Sequence, residues 1–337
     1  MTYLLENYCM FYENILQIYR LILSWLRSKF TTNIPPVIEI ESDVESELVI
    51  TSDTNVESDV VFIEENSNMK KVSLHMGICR FSKEYYGPDN DLNGCENDAI
   101  YIEKIAKQRG FETNIFLSEQ ATYEVYVDFM KKMAEELVAG DMFFFTISCH
   151  GTFHDYMEKG EEKRKTALCL HDRIVWDYET KQLLMLFKEG VRIVWMADCC
   201  HARDNFKSIN NPMKKGIPKF LDFSNIRHET LTVKDVKNEE DDIEEQSDLK
   251  CSIVAYSSST EQQVSYDFES FVDKRPLGLF TASIEKIMLT PANGKLSYYQ
   301  LYKKIIQQIA KADYPQTPQL QTVNGRKDKI AHREFLM

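Results

Sequence analysis

Between residues 73 and 312, short apolar runs alternate with longer amphipathic ones. The apolar runs, at 73–80, 112–117, 141–148, 191–198 and 251–257, predict strands. Two of them, Met142-Phe143-Phe144-Phe145 and Val191-Arg192-Ile193-Val194-Trp195-Met196, are nearly continuous rather than alternating. That pattern suits strands buried on both faces. The amphipathic runs at 97–109, 121–138, 177–188, 278–289 and 297–312 predict helices. Strands separated by helices predict an α/β fold, with a mostly parallel sheet covered by helices on both faces.

Three segments break this rhythm. Residues 1–30 predict an amphipathic helix, because Leu4, Tyr8, Phe11, Ile15, Ile18, Ile22 and Trp25 recur at spacings of four and three. Such a helix docks on its own domain, pairs with a partner or lies on a membrane surface. Residues 31–71 read as an acidic linker. Ten acidic residues and no Lys or Arg lie between Glu39 and Glu65. Three short apolar runs are embedded there: Val37-Ile38-Glu39-Ile40, Leu48-Val49-Ile50 and Val60-Val61-Phe62-Ile63. The segment is either a solvated tether or a set of strand-forming peptides for a sheet edge. Residues 202–250 hold Pro212, Gly216, Pro218 and the acidic run 239–245, and read as a long exposed loop. The expected main domain is 72–337.

Composition narrows the function classes. A net charge of −13 opposes nucleic-acid binding, which needs clustered Lys and Arg. Arg20 and Arg27 interrupt an N-terminal apolar stretch too short to span a bilayer, and no signal peptide is read there. The eight cysteines sit mostly in apolar runs with no disulfide spacing, which fits a reducing, cytoplasmic setting.

The chemistry concentrates at the ends of two strands, in Thr146-Ile147-Ser148-Cys149-His150-Gly151 and Ala197-Asp198-Cys199-Cys200-His201. Adjacent parallel strands release their C-terminal residues into one crevice. His150 would then serve as base to a Cys200 thiolate. The backbone N–H groups of Gly151 and Cys200 would form an oxyanion hole. A structural histidine, a pair of small buried cysteines and a zinc cluster are the alternatives. Zinc is disfavoured by the lack of C-x₂₋₄-C knuckles.

These segments resemble those of the caspase-like cysteine peptidases, in their metacaspase and bacterial caspase-like (orthocaspase) branch. Leu92-Asn93-Gly94-Cys95-Glu96-Asn97-Asp98-Ala99 resembles the family's LxGCxNDA segment. Ala139-Gly140-Asp141 with the following strand resembles its histidine segment, and Leu168-Cys169-Leu170-His171-Asp172 the stretch after it. Gly190 through His201 resembles the cysteine segment, and Gln316-Thr317-Pro318-Gln319 the closing QTPQ. The matches run in order from about Val72 to Thr322. The resemblance implies a caspase–hemoglobinase fold with a six-stranded sheet, a His150–Cys200 dyad, and an S1 pocket of Cys95, Asp98, Ser148 and Asp198. Two carboxylates in one pocket call for a cation, hence Arg or Lys at P1. The protein partners it implies are substrates with such residues.

Calcium-binding members of the family carry carboxylates where this chain has Lys163-Arg164-Lys165-Thr166, a single acid at Trp176-Asp177, and Lys207. Lysines oppose a hard cation, so no metal or other cofactor is expected. The N-terminal extension is then the expected restraint, with residues 1–70 also able to recruit a regulatory partner. Lys70, Lys71, Lys214, Lys215 and Arg227 are the expected self-cleavage sites. Two other classes compete: a catalytically silent scaffold, and a thiol redox sensor using Cys199 and Cys200.

Overall fold

The computed structural model describes residues 69–158, 160–200, 216–226, 249–260, 263–290, 295–324 and 330–337. Of the N-terminal helix and acidic linker expected over 1–71, residues 1–68 lie outside the described residues, and Lys71 already opens the first strand.

The five predicted strands are observed as β1 (Lys71–Gly77), β2 (Glu112–Leu117), β3 (Met142–Ser148), β7 (Arg192–Asp198) and β9 (Ser252–Ser257). They pair in the order β9-β7-β3-β1-β2, all parallel. A sixth strand, β12 (Gln319–Val323), adds antiparallel to β9 and completes the sheet. The five predicted helices are α1 (Cys95–Gln108), α2 (Tyr123–Glu136), α3 (Asp177–Met185), α4 (Leu279–Met288) and α5 (Tyr298–Lys311).

The near-continuous apolar strands divide their side chains between two cores. Phe143 and Phe145 of β3 join a cluster with Tyr126 and Met130 of α2 and Leu183 of α3. Met142 and Phe144 join the other, with Ile102 of α1, Ile284 of α4 and Leu301 of α5. Burying each phenylalanine contributes about 1.5–3 kcal/mol. Alternation across the pleat therefore fixes helices on both faces.

Strand β1 ends three residues earlier than its apolar run. A Cβ on Gly77 would run into the Cys95 carbonyl, so glycine lets the first turn of α1 close over the sheet edge. Helix α2 starts at Tyr123 rather than 121 because the Thr122 side chain caps the Val125 N–H at 3.3 Å.

Two further sheets lie outside the predicted elements. Strands β4 (Gly151–Glu158), β5 (Glu161–Cys169) and β6 (Ile174–Trp176) pair antiparallel. Strands β8 (Ile217–Pro218), β10 (Tyr266–Glu269) and β11 (Pro276–Gly278) form the other. The second corrects the expected exposed loop over 202–250. Within it, Lys219, Leu221 and Ile226 are 0%, 2% and 1% exposed. The lysine is buried because carboxylates surround it, and the two aliphatic side chains because they join the core.

Candidate active site

Register brings the site together. Ser148 pairs with Gly77 on one side and Asp198 on the other, all at the C-terminal edge of the sheet. His150 and Cys200 each follow two residues later, so the two segments leave the sheet side by side.

Residues 217–221 lie across this edge as a strap. Pro218 and Ile217 pair antiparallel with Tyr266 and Asp267, and the Lys219 N–H donates to the Ser265 carbonyl at 2.8 Å. The Lys219 carbonyl accepts N–H bonds from Gly151 at 3.0 Å and Cys200 at 3.3 Å. Beyond it, the Leu221 N–H donates to the Gly151 carbonyl at 3.0 Å. The strap thus follows the path of an extended peptide added to a sheet edge.

The Lys219 ammonium enters the pocket expected from Asp98, Ser148 and Asp198. It lies 2.8 Å from Asp98 Oδ2, 2.9 Å from Ser148 Oγ and 3.1 Å from Asp198 Oδ2. A third carboxylate, Asp267, has its Oδ1 at 3.9 Å. Asp98 is fixed on both oxygens, since Ser148 Oγ also donates to Oδ2 at 2.7 Å and the Gly278 N–H to Oδ1 at 2.7 Å. Asp267 takes the Asn93 and Gly94 N–H groups on Oδ2. Cys95 opens α1 beside this cluster. Burial pushes the Cys95 thiol well up, and the Lys219 charge opposes that. A Cβ on Gly278 would collide with Asp198 Oδ2 and Lys219 Nζ, so the pocket needs glycine there.

Three buried acids face one lysine. Burial raises Asp198 to about 6 and raises Asp267 as well, with the Lys219 charge opposing in each case. Asp198 Oδ1 and Asp267 Oδ1 are buried without a hydrogen-bond partner among the described residues. Behind the carboxylates is a cavity of about 20 Å³ lined in part by Asp98, Ser148, Asp198 and Thr281.

The Nε2 of His150 lies 2.8 Å from the Asn90 carbonyl. A carbonyl only accepts, so Nε2 carries the proton and Nδ1 holds the lone pair. Nδ1 is buried with no hydrogen-bond partner among the described residues. Burial lowers His150 to about 4, with the Asn90 carbonyl opposing. The Cys200 thiol donates to the Gln263 carbonyl at 3.1 Å. The Cys199 carbonyl accepts a hydrogen bond from Ser258 Oγ at 3.1 Å. Both dyad residues are covered, His150 at 4% and Cys200 at 0% exposed.

The structure therefore gathers His150, Gly151, Cys200, Cys95, Asp98, Ser148 and Asp198 around Lys219. Asn90, Lys219, Asp267 and Gly278 were missed by sequence reasoning. For Lys219 there was a signal: a single lysine inside Ile217-Pro218-Lys219-Phe220-Leu221, in a loop otherwise polar. Lys70 and Lys71 stand at the opposite end of β1, with Lys71 about 20 Å from Gly77 at 3.3 Å per residue. Lys214, Lys215 and Arg227, like His201 and Lys207, lie outside the described residues.

The family model described as a caspase domain matches residues 77–330. Metacaspase-2 of Trypanosoma brucei brucei is 29% identical over 148 residues, covering 39% of this chain and 41% of that protein. Metacaspase-3 of the same organism is 29% identical over 148 residues, covering 39% and 40%. The chain thus spans about two-fifths of the length of these curated relatives. A solved Geobacter sulfurreducens protein superposes with a TM-score of 0.65 at 25% identity, covering 79% of this chain and 97% of that one. Caspase-1 of Spodoptera frugiperda shares the fold, with a TM-score of 0.50 at 12% identity, covering 81% and 94%.

Proposed function

This chain belongs to the caspase-domain family, and we propose that it is a cysteine endopeptidase that cuts after Arg or Lys. The observation that carries this reading is Lys219, whose carbonyl is held by the Gly151 and Cys200 N–H groups while its ammonium sits among Asp98, Ser148 and Asp198. An acidic P1 would meet three carboxylates and be repelled.

His150 Nδ1 takes the Cys200 proton, and the thiolate attacks the scissile carbonyl carbon. The Gly151 and Cys200 N–H groups hold the oxyanion. Collapse breaks the C–N bond, and the imidazolium returns its proton to the departing amine. The resulting thioester is hydrolysed by water that Nδ1 deprotonates, which frees the acid and restores the thiol. The Asn90 carbonyl keeps Nδ1 as the basic nitrogen throughout.

Restraint is assigned first to the strap. It fills S1 and covers the dyad, and the Lys219–Phe220 bond lies where a substrate bond would. A cut there is the self-cleavage that would open the cleft. Residues 1–70, read as helix and acidic linker ahead of a peptidase domain at 72–337, remain a candidate regulatory arm. Their contribution is the difference in rate between the full chain and one beginning at Val72.

Calcium independence is supported by Lys165. It is buried, with its ammonium 4.3 Å from the Trp176 ring centroid, and Asp177 Oδ2 is engaged by the Thr166 N–H and hydroxyl. A cytoplasmic setting is supported by the seven described cysteines, all buried and none in a disulfide. Among the described residues no helix is long and apolar enough to cross a membrane.

Fluorogenic peptides with Arg, Lys, Asp or Ala at P1 test the reading, run with calcium and with chelator. Cleavage after Arg and Lys alone, at equal rates in both buffers, is expected. Cleavage after Asp, or none without calcium, refutes the corresponding part.

A further inference from the structure

Beyond the scissile position, the strap is held by side chains as well as by backbone. Phe220 packs against Phe153 of β4, ring centroids 5.6 Å apart and planes tilted by 33°. It also touches the small apolar cluster of Cys200, Val264 and Tyr266. Phe153 is fixed from its own strand pair. The Arg164 guanidinium lies 3.9 Å from its ring centroid, and forks onto Asp155 through Nε–Oδ1 at 2.6 Å and Nη2–Oδ2 at 2.8 Å. Such a bidentate pair is rigid, so the aromatic wall is set before a peptide arrives. Leu221 is 2% exposed, and its N–H is held by the Gly151 carbonyl.

We infer that the cleft reads the two residues after the cut bond: an aromatic at P1′ against Phe153, and an aliphatic at P2′ in the place Leu221 fills. The substrate class is then an extended polypeptide segment of basic, aromatic and aliphatic residues in that order. This rests on the basic-P1 endopeptidase reading and deepens it. A peptide that displaces the strap removes Phe220 and Leu221 from their sites, and its own primed residues must cover the exposed apolar surface. Glycine leaves that surface wet, and an acidic residue at P2′ would bury a charge in the place where Leu221 is 2% exposed.

Internally quenched peptides test this with the full-length protein. All share Ile-Pro-Lys before the bond, followed by Phe-Leu, Gly-Leu, Phe-Asp or Gly-Asp. Phe-Leu is expected to exceed Gly-Leu in kcat/KM by about tenfold, the upper end of what one aromatic pair contributes beyond its buried area. Phe-Leu is likewise expected to exceed Phe-Asp, and Phe153→Ala or the bulkier Phe153→Leu should shrink the Phe-over-Gly ratio to about twofold or less. Equal rates for all four peptides on the wild-type protein overturn the inference while leaving basic P1 specificity standing. Failure to cut any of them, with no cleavage of Arg or Lys fluorogenic peptides either, overturns the reading on which it rests.

Discussion

At the residue scale, the proposed S1 pocket is a problem of excess charge. Asp98, Asp198 and Asp267 are all buried, and one ammonium answers them. Asp198 shows the consequence, since burial raises it to about 6. As pH falls through that value the carboxylate takes a proton and its pairing with a P1 cation is lost. His150, lowered to about 4, stays neutral through the same range. The expected acid limb of kcat/KM for lysine peptides therefore lies near pH 6 and belongs to Asp198. In Asp198→Asn that limb should disappear, with kcat/KM at neutral pH reduced by about 10²-fold from loss of one buried charged partner. A pH–rate series on both proteins checks this, and an unchanged limb in the variant would assign it elsewhere. The dyad, Gly151, Asp98, Ser148 and Asp198 were legible because each sits in a motif tied to a strand end or a helix start. Asp267 was not, because it reaches the pocket through an antiparallel hairpin with no apolar run to announce it. The Asn90 contact is made by a backbone carbonyl, which no residue type signals.

At the element scale, the strap is the least predictable part and the most informative. Its apolar residues are too few to give a period, and polar loop surrounds them, so the pattern reads as exposed. Burial comes from tertiary pairing, two residues of strand with β10 and one lysine with the pocket. Strands β4 and β5 were missed for a related reason. Glu161-Glu162-Lys163-Arg164-Lys165 pairs by backbone and by cross-strand charge, such as Arg164 with Asp155, rather than by apolar alternation. The strap competes with substrate as a tethered ligand, whose effective concentration reaches millimolar. Lys219→Ala should therefore free the cleft without a cut. The initial rate on lysine peptides is expected to rise on the order of tenfold over uncut wild-type protein. Lys219→Arg should remain restrained and still be cut. Initial rates, with gel analysis of the chain, distinguish these; an unchanged rate in Lys219→Ala would show that the strap does not hold the cleft closed.

At the scale of the whole molecule, the parallel sheet explains why fold and catalytic centre were readable together. Five strands and five helices were legible from period alone, because a strand buried on both faces leaves no ambiguity about where its helices pack. The same sheet places Gly77, Ser148 and Asp198 in register at one edge, two residues ahead of His150 and Cys200, so fold and candidate site come from one pattern. The control of that site does not, because it depends on which segment of the chain returns to the edge. The central claim is that Cys200 and His150 act on a peptide bond presented by a basic side chain, and that Lys219 presents the first one. The most direct measurement is mass spectrometry of the purified full-length chain and of Cys200→Ala, with sequencing of any new N-terminus. The account predicts a fragment beginning at Phe220 in the wild-type protein and an uncut chain in Cys200→Ala. The same Phe220 fragment in Cys200→Ala, or wild-type protein that cuts lysine peptides yet breaks only after other residues of its own chain, would contradict it.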